Sequence, residues 1–171
     1  VPGLPLDEWT PGPDGRLWRR AARVLWVRSG EILLVNGRQP DSGRFWWTPG
    51  GGIAPGESDR DAAVRELAEE AGVALPPDGL VGPVARWDNA FTYLGHPVRQ
   101  RDVFFWSTVE AGQATTAWTS IENATVDALR WVPVDEIGHL PDPLYPPQLP
   151  ALIDRLGSGW DGSVMEFDPA R

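Results

Sequence analysis

Two aliphatic runs, AARVLWV (21–27) and EILLV (31–35), stand on either side of RSG, a pattern that predicts a strand, a tight turn and a second strand. RFWW (44–47) predicts a short aromatic strand ended by TPGGG. Further strands are predicted over VARWDNAFTY (84–93), VRQRDVFFWSTV (98–109) and ALRWVPV (128–134). In the second of these, Val98, Gln100, Asp102, Phe104 and Trp106 share one face, while Val103 and Phe105 lie on the other. That run is amphipathic first and apolar on both faces later, as a strand entering a core is. From 59 to 72 the period changes to a helical one, with Ala63, Val64, Leu67, Ala68 and Ala71 as the apolar stripe. Ser58 supplies an N-cap, Asp61 stands at the capping-box position and Gly72 is the stop. A weaker helix is expected near Thr119, and a C-terminal one over QLPALIDRL (148–156).

Strands before and after a helix, joined to it by glycines, predict an α/β layered domain, and the hairpin spacings predict a mixed β-sheet. The expected organisation is an irregular N-terminal arm over 1–20, one domain over 21–156 and a loosely ordered tail over 157–171. The first fifteen residues alone hold four prolines and three glycines.

Composition removes several chemistries. The net charge is −9, and all fifteen basic residues are arginine. An acidic chain is a poor partner for polymeric nucleic acid, and without lysine there is no P-loop lysine and no Schiff base. Without cysteine there is no thiolate nucleophile and no disulfide. His96 and His139 are too few for a histidine metal site. No apolar run reaches the roughly 18 residues of a membrane span, and no basic-then-apolar leader pattern opens the chain. The expectation is a cytoplasmic protein with no membrane contact.

RELAEEAG (65–72) brings Glu66, Glu69 and Glu70 onto neighbouring helical positions, where like charges repel by roughly 0.2–0.5 kcal/mol per pair. An acidic helix is usually a solvated face, with Arg65 free to pair with Glu69 at i,i+4. The alternative is a hard-cation site, in which a dication turns the repulsion into attraction. The surrounding spacing separates the two. GGIAPGESDRDAAVRELAEEAGV (51–73) reads Gly51, five residues, Glu57, seven residues, Arg65-Glu66-Leu67, one residue, Glu69-Glu70, one residue, Gly72-Val73. This resembles the signature of the Nudix hydrolases at every defining position. FWWTPGGG before it and LRWVPVDEI (129–137) after it resemble the family's entry loop and its closing strand and helix start, so the likeness covers about residues 20–140.

The resemblance implies an α/β/α sandwich and Mg²⁺-dependent hydrolysis, with Mn²⁺ as an alternative, of a nucleoside diphosphate linked to another group. It implies Glu66, Glu69 and Glu70 as metal ligands, with Glu57, the Gly50 carbonyl and Glu122 as further candidates. Asp127 and Glu110 stand behind Glu122, whose spacing from Thr119 equally fits a helix cap. Arg65 resembles the family arginine that orients neighbouring glutamates. The proton acceptor is either one carboxylate of this set, with Glu66 and Glu69 as candidates, or a loop residue outside it. Gly50, Gly51 and Gly52 let the main chain approach an ion. For substrate binding, Arg44, Arg99 and Arg101 are candidates for phosphate, and Trp46, with Trp47, Trp87 and Phe91, for a base. Hydrolysis of oxidised or noncanonical nucleoside triphosphates and nucleotide sensing without turnover are the competing functions; prenyl diphosphate isomerisation ranks below both. The partner is a small nucleotide, and the family leaves a homodimer open.

Overall fold

The computed structural model describes residues 8–39, 43–110 and 126–168. In chain order the elements are β1 (Thr10–Pro11), β2 (Leu17–Arg28), β3 (Glu31–Gln39), β4 (Gly43–Trp47), β5 (Gly50–Gly52), α1 (Asp59–Ala71), β6 (Val81–Tyr93), β7 (His96–Ser107), β8 (Val126–Pro133), β9 (Leu144–Tyr145), α2 (Leu149–Leu156) and β10 (Met165–Phe167). The predicted strands and the two helices over 59–72 and 148–156 are present. The helix expected near Thr119 lies outside the described residues.

The strands form a mixed, strongly curved sheet. Its hydrogen-bonded path runs β10-β6-β7-β2-β3-β4-β9, with β1 and β5 added to β2 and β8 added to β3. β2 runs parallel to β7 from Leu17↔Val98 to Trp26↔Ser107, while β6 and β7 form an antiparallel hairpin. Alternation along the central strands sends side chains to two cores. Ala22, Val24 and Trp26 of β2 join Val103 and Phe105 of β7 under α1, packed on Ala62, Ala63, Leu67 and Ala71. Leu25 and Phe104 face the other way, toward Leu149, Leu152, Ile153 and Leu156 of α2. One helix on each face of the sheet is the sandwich that the resemblance implies, and the two-faced reading of 98–109 is borne out.

The ends are more ordered than their composition suggests. Thr10 and Pro11 pair with Trp18 and Leu17, and Trp9 is buried beneath the Arg19 guanidinium, 4.4 Å from its ring. The tail is not loose throughout: Met165–Phe167 pairs in parallel with Ala85–Trp87, and Phe167 packs near Phe104, ring centroids 6.0 Å apart. In both places a single large aromatic supplies the burial that proline- and glycine-rich neighbours cannot. TPGGG is also more than a strand terminator, since its three glycines form β5 and pair with Ala21, Ala22 and Arg23. The helix start expected near Ile137 is a single 3₁₀ turn, Ile137–His139.

Candidate active site

β5 is made of glycine because its neighbours leave no room for side chains. A Cβ on Gly50 would collide with the Ala22 carbonyl oxygen, and its φ of 139° is one that other residues rarely adopt. A Cβ on Gly51 would lie within the Glu66 carboxylate, and one on Gly52 within the Glu8 carboxylate. The strand therefore seats one acid from α1 on one side and one from the N-terminal arm on the other.

α1 is capped as expected. The Ser58 hydroxyl accepts from the Asp61 N–H at 3.1 Å, and Gly72 ends the helix at a φ of 65°. Its buried stripe differs from the expected one: it comprises Ala62, Ala63, Glu66, Leu67, Glu70 and Ala71, with Val64 and Ala68 only half-buried. Glu66 and Glu70 are 7% and 9% exposed, whereas the Glu69 side chain is 59% exposed. The three acids are helical neighbours as expected, with Arg65 reaching both Glu66 and Glu69, but they differ in depth. Packing against side-chain-free β5 draws Glu66 and Glu70 inward and leaves Glu69 outside.

Arg65 organises this edge. Its Nε and Nη2 donate to the two oxygens of Glu57 at 2.8 and 2.9 Å, and Nη2 also donates to the Gly52 carbonyl at 2.9 Å. Nη1 donates to Glu66 at 2.6 Å and to Glu69 at 3.2 Å. A forked, charge-assisted donor set of this kind fixes orientation as well as charge. Hydrogen bonding from Arg65 holds the Glu57 carboxyl below its usual range. Burial pushes that of Glu66 up, against the pull of Arg65. Glu70 accepts the Gly50 N–H at 2.7 Å.

Sequence reasoning missed the residues on the far side of β5. Arg23 donates from Nη1 to the Gly50 carbonyl at 2.6 Å and from Nε to Asp102 at 2.8 Å. Asp102 also accepts from Gln100 at 2.8 Å, and Gln100 accepts from Arg19 at 2.6 Å. Arg19 in turn pairs with Glu8 at 2.7 Å. Burial pulls the Arg23 guanidinium down, but Asp102, Glu70 and Glu66 together raise it above its ordinary value. The one available signal was the placement of two polar residues, Gln100 and Asp102, on the β7 face that Val98 and Phe104 bury.

The remaining candidates are dispersed. Arg44 meets Asp127 at 3.3 Å, Arg99 meets Asp14 at 3.5 Å, and Arg101 meets Asp88 at 2.6 Å. Trp46 is no stacking platform: it is 6% exposed and packs in the α2 core, as does Trp87. Phe45 and Trp47, on the opposite face of β4, lie 4.9 Å apart and only half-buried. Glu110 accepts from Ser29 at 3.4 Å, and Asp127 is shared by Arg38 and Arg44. Glu122 lies outside the described residues.

Among the described residues, no three acidic or imidazole side chains are grouped to hold a metal ion by themselves. The donor chemistry nonetheless fits a hard dication. Arg23 and Arg65 stand among five carboxylates (Asp102, Glu57, Glu66, Glu69 and Glu70), which leaves an excess of negative charge beside β5. Every donor is an oxygen, the ligand type that Mg²⁺ and Mn²⁺ take.

The NUDIX domain family model matches residues 17–154. The chain is 46% identical over 82 residues to diphosphoinositol polyphosphate phosphohydrolase 3-alpha of Mus musculus, a match covering 46% of this chain and 47% of that protein. It therefore spans about half the length of the curated relatives it matches. Among solved structures, a MutT NUDIX hydrolase from Burkholderia pseudomallei aligns with a TM-score of 0.58 at 26% identity, over 80% of this chain and 96% of that one. A C. elegans Ap4A hydrolase aligns with a TM-score of 0.57 at 19% identity, over 82% and 98%, a likeness of fold alone. Nudix hydrolases generally use divalent metal ions.

Proposed function

The chain belongs to the Nudix family, and we propose that it is a Mg²⁺-dependent hydrolase that cleaves the anhydride between two phosphates of a small substrate, in first place a nucleoside diphosphate linked to another group. The observation that carries this reading is the pair of buried glutamates, Glu66 and Glu70, held against a strand of three glycines beside an excess of negative charge. Burying carboxylates is costly without a compensating cation, and only part of that compensation comes from Arg65 and Arg23.

Glu66, Glu70, Glu57 and the Gly50 carbonyl would hold the ion, joined by Glu69 and, following the resemblance, Glu122. When bound, a divalent ion supplies neutralisation of phosphate oxygens and lowers the pKa of a coordinated water. The residues of the chain do the rest. Arg65 orients Glu57 and Glu66 through its fork and steadies Glu69 from the solvent side. Gly50 presents both its peptide groups to the site, the N–H held by Glu70 and the carbonyl by Arg23. Glu66, buried and oriented by Arg65, would accept a proton from an attacking water, with Glu69 as the alternative.

The relatives' names widen the substrate class. A diphosphoinositol polyphosphate shares with nucleoside-diphosphate conjugates a phosphoanhydride within a compact polyanion. A second reading, a diphosphorylated polyol as substrate, is favoured by the identity to the diphosphoinositol enzymes, which is higher than that to the structural neighbours. The test is incubation with Mg²⁺ and a mixed panel of nucleoside-diphosphate conjugates, nucleoside triphosphates, dinucleoside polyphosphates and diphosphoinositol polyphosphates, with products identified by mass. Consumption of a conjugate or a diphosphoinositol with phosphate-bearing products is expected. Release of pyrophosphate from triphosphates would support the nucleotide-cleansing alternative, and binding with no turnover of any member would overturn hydrolysis.

A further inference from the structure

Arg23 has no place in the helix signature, yet it touches the site at the peptide group on which the signature converges. Its side chain is only 14% exposed, and its guanidinium bridges two elements: Nε to Asp102 on β7, and Nη1 to the Gly50 carbonyl on β5. The Gly50 N–H is held by Glu70 of α1. The spacing between Glu70 and the Gly50 carbonyl is thus set from both sides, by a carboxylate on α1 and a guanidinium on β2. No residue other than glycine fits between them, because Gly50 lies against the backbone of Ala22 and Arg23 themselves. Asp102 in turn is fixed by Gln100 and Arg23, so the guanidinium has little freedom to turn away.

We infer that Arg23, held by Asp102, is a positioning residue that presents the Gly50 carbonyl and Glu70 at a fixed separation for a divalent ion. Charge alone does not account for this arrangement: a lysine would supply the same charge but not a planar fork reaching Asp102 and Gly50 together. The inference rests on the hydrolase reading for its kinetic arm, while its binding arm stands apart from turnover.

The test compares Arg23→Gln and Arg23→Lys with the wild type in two ways. The first is Mn²⁺ binding to the folded protein without substrate, followed by electron paramagnetic resonance of the free ion. The second is steady-state kinetics with Mg²⁺ on whichever substrate the panel identifies. Both variants are expected to bind Mn²⁺ about fivefold or more weakly, and to lose roughly tenfold or more in kcat with KM little changed. Wild-type Mn²⁺ affinity in Arg23→Lys would overturn the inference, because charge would then suffice. Tighter Mn²⁺ binding in both variants would overturn it too, since Arg23 would then merely repel the ion. Should Arg23→Gln fail to fold, Arg23→Lys is read by the same criteria. A wild type that binds Mn²⁺ yet turns over no substrate would defeat the hydrolase reading while leaving the binding comparison intact.

Discussion

Beside β5, Arg23 and Arg65 serve five carboxylates, of which Glu66, Glu70 and Asp102 are buried; on the outer face of β6 and β7, Arg86, Arg99 and Arg101 each face one acid, Glu166, Asp14 and Asp88, in solvent. The residue types are the same in both places. In the first, acids outnumber bases, low exposure strengthens every interaction, and the backbone gives up its side chains to admit carboxylates. In the second, the pairs balance and water screens them, so each contributes little. Imbalance under burial, rather than the number of charges, sets the β5 cluster apart from the surface pairs.

The comparison breaks most directly at Glu70. Glu70→Gln keeps an oxygen able to accept the Gly50 N–H, so the fold is expected to survive with the melting temperature changed by no more than about 3 °C. The kcat should fall by about 10²–10³, the scale of losing one preorganised electrostatic group. Wild-type turnover in that variant would put the β5 cluster in the same class as the surface pairs. Gly51→Ala sharpens the point sterically. Its methyl would enter the space of the Glu66 carboxylate, with an expected loss of about 1–3 kcal/mol of stability by denaturant titration and a loss of activity with it. Gly138→Ala, where nothing lies within 4 Å of the added carbon, should stay within about 0.5 kcal/mol.

A modest effect, on stability alone, belongs to the outer face. Hydrogen bonding from Arg101 holds the Asp88 carboxyl below its usual range. A depressed folded pKa contributes stability above the unfolded value of about 3.9, and that contribution is lost as pH falls through the folded value. Asp88→Asn should therefore lower the melting temperature at pH 7 by about 1–3 °C, with the gap closing under acid and kcat unchanged. A larger drop in kcat than in Glu70→Gln would invert the comparison.

Much of this was legible in the sequence where signals were local. The cap at Ser58, the stop at Gly72 and the Arg65–Glu69 pairing at i,i+4 all sit within one helix and its caps. The orientation of that helix was not legible. A wheel drawn from apolar residues favours Val64 and Ala68, but the helix turns Glu66 and Glu70 inward because Gly51 vacates the volume that Glu66 fills. Trp46 failed for a similar reason, since a strand as short as RFWW gives no sign of which of its faces meets the core. Arg23 and Asp102 are 79 positions apart, and only the parallel pairing of β2 with β7 brings them together. An arginine inside AARVLWV marked an interruption in a strand, with nothing nearby to show what it served.

β10 has a bearing on how the molecule keeps to itself. At thirteen residues, β6 would present a long open ladder to any passing chain. Met165–Phe167 occupies its middle, Pro83 removes a donor before that, and the Arg60 guanidinium caps the Gly82 carbonyl. β10 thus divides the ladder into two shorter stretches, so removing Met165–Phe167 should promote polymerisation before it unfolds the sheet.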